Sequence, residues 1–189
     1  MLKKKFLFIF ILTFFLINFT ILYANPKSKI INNFNNIDNL KFSFTQVSFN
    51  KKENGICFIK RPYFLKCVYE DKNKKELIIN RNNLVIYHKK YNKTYFYPVS
   101  KSYFVEILDK KLFGDLISNG IISLNDEVFE IKYFKENKGQ ILFFFNKESF
   151  DLAGWKIVDL NGNQTVFQIE NLKKNQNLDK KLFQIPQIN

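Results

Sequence analysis

Apolar residues change their spacing several times along this chain, and each change marks an element. Ile30, Ile31, Phe34 and Ile37 recur every three to four residues around 27–36, the spacing of one helical face. Leu40, Phe42 and Phe44 then alternate with Lys41, Ser43 and Thr45, as in a strand with one buried face. Asn54-Gly55 suits a two-residue hairpin loop. The runs Ile56–Lys60 and Phe64–Glu70 flank Arg61-Pro62, and a proline between two strands is expected at their turn. Glu76–Ile79, Leu84–His88 and Thr94–Tyr97 are three more short runs. Over 101–118 the spacing returns to three and four, through Phe104, Ile107, Leu108, Leu112 and Leu116 with Gly114 interrupting. This predicts two short helices or one kinked helix. Strand spacing resumes at Phe129, Ile131 and Tyr133, at Ile141–Phe145, at Trp155 and Ile157, and at Thr165, Phe167 and Ile169. Asn161-Gly162-Asn163 is the strongest hairpin signal, and a last short strand is expected at Leu182–Ile185.

These elements predict a mainly β protein with helices, in the α+β class. About ten strands follow one another without βαβ alternation, so the sheet should be antiparallel and single. An antiparallel sheet open to water on one side shows one polar face. Several strands here are apolar on both faces, so the sheet must be covered on both sides or must enclose an oily hollow.

Composition changes the picture at the N-terminus. Lys3, Lys4 and Lys5 precede an apolar run from Phe6 to Ile17, and the stretch closes on Ala24 before Pro26. A basic start, a short apolar stretch and a small residue at the cut describe a secretory signal peptide over 1–24, with an uncleaved membrane anchor as the alternative. Residues 25–189 are then one domain, placed in the periplasm. The formal charge is +13, from 30 basic and 17 acidic residues. Only Arg61 and Arg81 are arginines, and the lysines are scattered with no run of five. That argues against nucleic acid and for a solvated basic surface, with weak attraction to anionic membranes or acidic partners as the functional alternative.

Little catalytic chemistry is on offer. His88 is the single histidine, no Gly-x-Ser-x-Gly occurs, and the six glycines are dispersed, which removes phosphate-cradling loops. Two cysteines and one histidine leave no set of metal ligands, and no cofactor is expected. A secreted hydrolase using paired carboxylates is the enzymatic alternative. Cys57 and Cys67 lie equally far from Pro62, so a hairpin tip there would set them opposite each other. In an oxidising compartment they form either a disulfide or two buried thiols. The same parity puts Arg61 on the face of Cys57, Ile59, Leu65, Cys67 and Tyr69. It is either a latch, bonded to carbonyls of the 101–118 insert so that a helical lid closes over a cavity, or a side chain snorkelling to solvent.

The order of these features resembles the outer-membrane lipoprotein carrier (LolA) family across nearly the whole exported chain. The residues carrying the resemblance are Phe44-Thr45-Gln46, Gly55 to Cys67 with Lys60-Arg61-Pro62, Asn83-Leu84-Val85-Ile86-Tyr87 and Phe104 with Ile107-Leu108. Asp159-x-Asn161-Gly162-Asn163-x-Thr165 and Phe183-x-Ile185-Pro186 are the most specific. The resemblance implies an unclosed antiparallel β-barrel of about ten to eleven strands, with an N-terminal helix and a helical lid over a hydrophobic cavity. Phe42, Phe44, Ile59, Leu65, Cys67, Tyr69, Ile86, Phe104 and Leu108 would line that cavity. Arg61 would be the lid latch. The family's Phe and Trp fall on Leu65 and Cys67, which keeps apolar character at smaller volume. The implied function is non-catalytic and monomeric: lipid-modified lipoproteins pass from an inner-membrane ABC-type release complex to an outer-membrane receptor. A related lipid or glycolipid shuttle or sensor on the same half-barrel is the alternative.

Overall fold

A computed structural model describes residues 25–125 and 127–186; the expected signal peptide lies outside them. Helix α1 (Pro26–Asn35) starts where Asn25 accepts a bond from the Lys27 amide, with proline at its first position. Six strands follow: β1 (Asn39–Ser48), β2 (Lys51–Lys60), β3 (Phe64–Tyr69), β4 (Lys75–Asn80), β5 (Asn83–His88) and β6 (Lys93–Pro98). Helices α2 (Phe104–Leu108) and α3 (Lys110–Asn119) interrupt the series. Strands β7 (Ile121–Leu124), β8 (Val128–Lys135), β9 (Gly139–Asn146), β10 (Leu152–Val158) and β11 (Gln164–Lys174) complete it.

The eleven strands form one antiparallel sheet in the order β6-β5-β4-β3-β2-β1-β11-β10-β9-β8-β7. It consists of two meanders joined where the first strand pairs with the last. Strands β6 and β7 are its two edges, so the barrel is unclosed. The segment 99–109 crosses this open side. It leaves the end of β6, and Tyr103 donates to the Gly139 carbonyl at the start of β9 (2.7 Å).

Three local expectations are corrected. Asn54-Gly55 is not a turn but the middle of β2, where Gly55 pairs with Phe44 and Tyr69. A Cβ there would run into the Val68 carbonyl and the Phe44 ring, so glycine serves a close approach inside the sheet. The actual hairpin turn is Phe49-Asn50, both left-handed (φ 48° and 59°). The break within 101–118 falls at Asp109, whose carboxylate accepts from the Lys111 and Leu112 amides, while Gly114 sits inside α3. Leu182–Ile185 is no strand. Residues Lys180–Phe183 form a 3₁₀ turn that buries Phe183 against Phe64 on the convex face, beside Ile78 and Val85. The C-terminal segment therefore covers the outer face of β3–β5 at their Arg61 end.

Candidate functional site

The concave face divides into two halves along the strands. Toward the Arg61 end, α1 and α3 fill it. Phe34 and Phe113 stack with centroids 3.6 Å apart, and Phe113 meets Phe143 and Phe145 edge-on. Leu40, Phe42, Ile59, Leu65 and Ile79 are at most 1% exposed beside them. Toward the other end no long helix among the described residues covers the sheet. A cavity of about 270 Å³ remains there, lined by Cys67, Tyr69, Leu77 and Ile86 on one side and Trp155, Ile157 and Phe167 on the other. Phe104 of α2 forms its cover, edge-on to Trp155 at 6.5 Å. Gln46, Lys75 and Thr165 supply a polar rim. The volume is close to the lower end of the range of about 300–1,000 Å³ typical of ligand clefts. Larger grooves of about 430 and 540 Å³ lie at the Arg61 end. They are made chiefly of turn residues such as Tyr63, Arg81 and Asn82, and no residue of the concave sheet face other than Arg61 lines them.

The residues singled out in the sequence separate accordingly. Cys67, Tyr69, Ile86 and Phe104 line the cavity. Phe44 lies one layer below, stacked on Phe167 at 4.5 Å and edge-on to Tyr69 at 5.0 Å. Phe42, Ile59 and Leu65 lie in the filled half, and Leu108 faces the outer groove. Cys57 and Cys67 pair directly across β2 and β3 and are disulfide-bonded, with Cα atoms 4.0 Å apart. Trp155, Ile157 and Phe167 were not among the singled-out residues. Their alternation on β10 and β11 was visible, but which strand pair would face β3–β5 across the concavity depended on the sheet closing through β1 and β11.

Arg61 does not reach the 101–118 insert. Its Nη1 donates to the Phe34 carbonyl at 2.9 Å, and its guanidinium lies 3.6 Å over the Phe34 ring, so it binds the C-terminal turn of α1. Its Nε and Nη2 are buried without a hydrogen-bond partner among the described residues. Burial lowers its pKa to about 10, against the opposing charge of Asp38. The reason for the different partner is positional: the β2–β3 turn sits beside the end of α1, where free helix carbonyls collect. Lys110 donates to the Asn35 carbonyl (2.7 Å) and Asn175 to that of Asn36 (3.0 Å), so three separate elements hold the same helix end.

The insert has its own fastening. Buried Glu106 of α2 accepts from Lys138 (2.9 Å) and Lys135 (3.1 Å), and Lys138 also donates to the Ser102 carbonyl (2.7 Å). Burial, then the Glu106 charge, raises the Tyr103 hydroxyl to about 12, so it remains a donor to Gly139. These bonds tie α2 to the β8–β9 turn and hold Phe104 over the cavity.

With this geometry established, the family model described as outer membrane lipoprotein carrier protein LolA matches residues 35–186. The chain belongs to the LolA family. No curated protein sequence matches it. Among solved structures, an uncharacterized conserved protein from Thermus thermophilus superposes with a TM-score of 0.55 at 8% identity, covering 86% of this chain and 95% of that one. MucB of the Pseudomonas aeruginosa MucA/MucB complex superposes with a TM-score of 0.52 at 10% identity, covering 86% and 62%. At these identities the likeness is one of fold. In this LolA-family chain the family's half-barrel and helical cover are both present, with the cover fastened at two places.

Proposed function

We propose that the protein is a periplasmic carrier that shelters the acyl chains of lipoproteins, taking them from an inner-membrane ABC-type release complex and passing them to an outer-membrane receptor. The observation that carries this reading is the unfilled half of the concavity, an aromatic and aliphatic pocket capped by a helix that polar bonds hold in place. Burying an acyl chain is worth about 0.8 kcal/mol per CH₂. A soluble carrier needs an apolar wall to match that, and a cover that opens without dismantling a core. Phe104 on the short helix α2 is that cover: polar bonds among Glu106, Tyr103 and Lys138 fasten its helix, whose Ile107 and Leu108 pack into the core beside it. On this reading α2 swings outward as chains enter the cavity, and Arg61 governs whether α1 follows. The reading includes export by the leader, and it makes Cys67, Tyr69, Ile86 and Phe104 the residues that touch acyl chains.

Native mass spectrometry of the protein isolated from its own periplasm tests this. A co-purifying triacylated polypeptide is expected. A free lipid or glycolipid in its place would favour the shuttle reading, and an empty protein unable to take up a fluorescent fatty acid would defeat both.

A further inference from the structure

The register places five turns at one end of the half-barrel, the end where the cavity lies. They join β1 to β2, β3 to β4, β5 to β6, β8 to β9 and β10 to β11. Three of them present large apolar side chains to solvent. Phe49 is 76% exposed, Leu160 64% and Tyr91 54%. The turns bearing Phe49 and Leu160 are neighbours, because Ser48 pairs with Thr165 and Thr165 with Ile157, and the Ser48 and Thr165 hydroxyls are 3.0 Å apart.

Phe49 is the unusual member. A two-residue hairpin turn with both φ values positive favours Asn, Asp or Gly, and a bulky aromatic rarely takes that conformation. Phe49 takes it (φ 48°) with its ring in water. Neither the turn nor the core gains from an aromatic there. Backbone outliers of this kind point from strain toward function.

Charge at this end is lopsided. Lys52, Lys72, Lys74, Lys89 and Lys90 are all exposed on the turns or their flanks. Of the nearby acids, Glu53 is held by Lys51 and Lys75, Asp71 caps the Lys75 amide, and Asp159 accepts bonds within its own turn. Glu70 and Glu136 are the exposed acids that remain among the described turn residues.

We propose that this end docks on an anionic phospholipid bilayer, with Phe49 and Leu160 entering the interface, Tyr91 resting at headgroup level and the lysines facing lipid phosphates. Apolar tips on separate turns, set among lysines, match a soft interface whose lipids can part around each tip. Each lysine near such a surface adds to the attraction, which salt screens. Docking in this pose sets the cavity mouth against the lipid surface. The inference stands on the turns alone and does not require that the cavity hold a lipoprotein.

The test is flotation of the exported protein, its processed mass verified, with vesicles of phosphatidylcholine alone or mixed with phosphatidylglycerol. Binding to the mixed vesicles is expected, weakening as salt rises from about 0.1 to about 1 M. Phe49→Asn combined with Leu160→Ser should lower that binding about tenfold or more, with no loss of Tm, because asparagine suits the turn. Phe49→Trp should show blue-shifted emission on mixed vesicles. A wild type that ignores anionic vesicles, a double variant that binds as the wild type does, or unshifted emission from the Phe49→Trp variant would each overturn the proposal. Capture by a receptor protein through the same tips, without vesicle binding, would overturn it in favour of a protein partner. Uptake of a fluorescent fatty acid separates this from the carrier reading: a protein that takes up the acid but ignores vesicles sinks only the docking, and the converse sinks only the carrier.

Discussion

At the Arg61 end of the concave sheet, Phe143, Phe145, Ile59 and Leu65 are fully buried beneath two ten-residue helices, one of which contributes the equally buried Phe113. At the turn end, Leu77, Ile86 and Ile157 stay half-exposed around a hollow, and a five-residue helix supplies the cover. The sheet is continuous and apolar through both regions. The difference comes from helix length and placement: α1 and α3 pack against each other, and α3 against β8, whereas short α2 packs on α3 through buried Ile107 and Leu108 and sends only the Phe104 ring over the cavity. Packing and hollow are thereby assigned to different ends of one surface, so under the proposed function one half can empty and fill while the other keeps the protein folded.

The largest expected contrast is between two phenylalanines. Phe113→Ala should cost about 3–5 kcal/mol in denaturant unfolding, the range for a large buried ring. Phe104→Ala should cost well under half of that and yet change fatty-acid affinity. Equal costs would dissolve the distinction between a filled half and an open one. Next, the Cys57–Cys67 disulfide closes a short loop at the border of the two halves. Replacing both cysteines by serine should lower stability by about 2–3 kcal/mol, read as a fall in Tm. An unchanged Tm would mean that the packed half stands without it.

Arg61→Leu removes the charged donor to Phe34, worth about 1.5–3 kcal/mol, but it also relieves burial of a partly unpartnered guanidinium. The net cost should be about 1 kcal/mol, concentrated in α1. Amide exchange at Asn36 and Ile37 should accelerate, and handover of cargo should be impaired. Exchange and handover both as in the wild type would remove the latch role. Lys138→Ala should act on the other fastening, speeding fatty-acid entry and exit while leaving exchange in α1 unchanged; coupled changes in both helices would show that the two halves open together.

The smallest effect is acidic. Burial works against ionisation of Glu53, but its bonds from Lys51 and Lys75 outweigh this and lower its pKa. A lowered carboxylate pKa contributes stability above the ordinary value near 4.5 that is lost as pH falls through the folded value. Stability of the wild type should therefore decline more steeply below about pH 4.5 than that of Glu53→Gln, measured by Tm against pH.

Element types were largely legible, and where they were not the reason is specific. Alternation exposed the strands, and three-to-four spacing exposed α1 and the insert, because those periods follow directly from backbone geometry. Asn54-Gly55 misled because a glycine needed for close packing has the same sequence signature as one needed for a turn. Phe49-Asn50 was invisible because phenylalanine is an atypical turn residue. Residues Leu182–Ile185 misled because a short apolar run does not say whether it pairs with a sheet or lies upon it.

The sequence by itself determined the antiparallel half-barrel with its helical insert, the facing of Cys57 and Cys67 across a turn at Pro62, and membership of a carrier family. Local periodicity, turn symmetry and motif order suffice for these. Only the tertiary structure decided that Arg61 grips α1, that Glu106 and Lys138 fasten α2, and that Trp155 and Phe167 complete the pocket wall. Each of those is a contact between elements far apart in the chain. Its partner is chosen by how the sheet curves and which helix end arrives, quantities that no local pattern encodes.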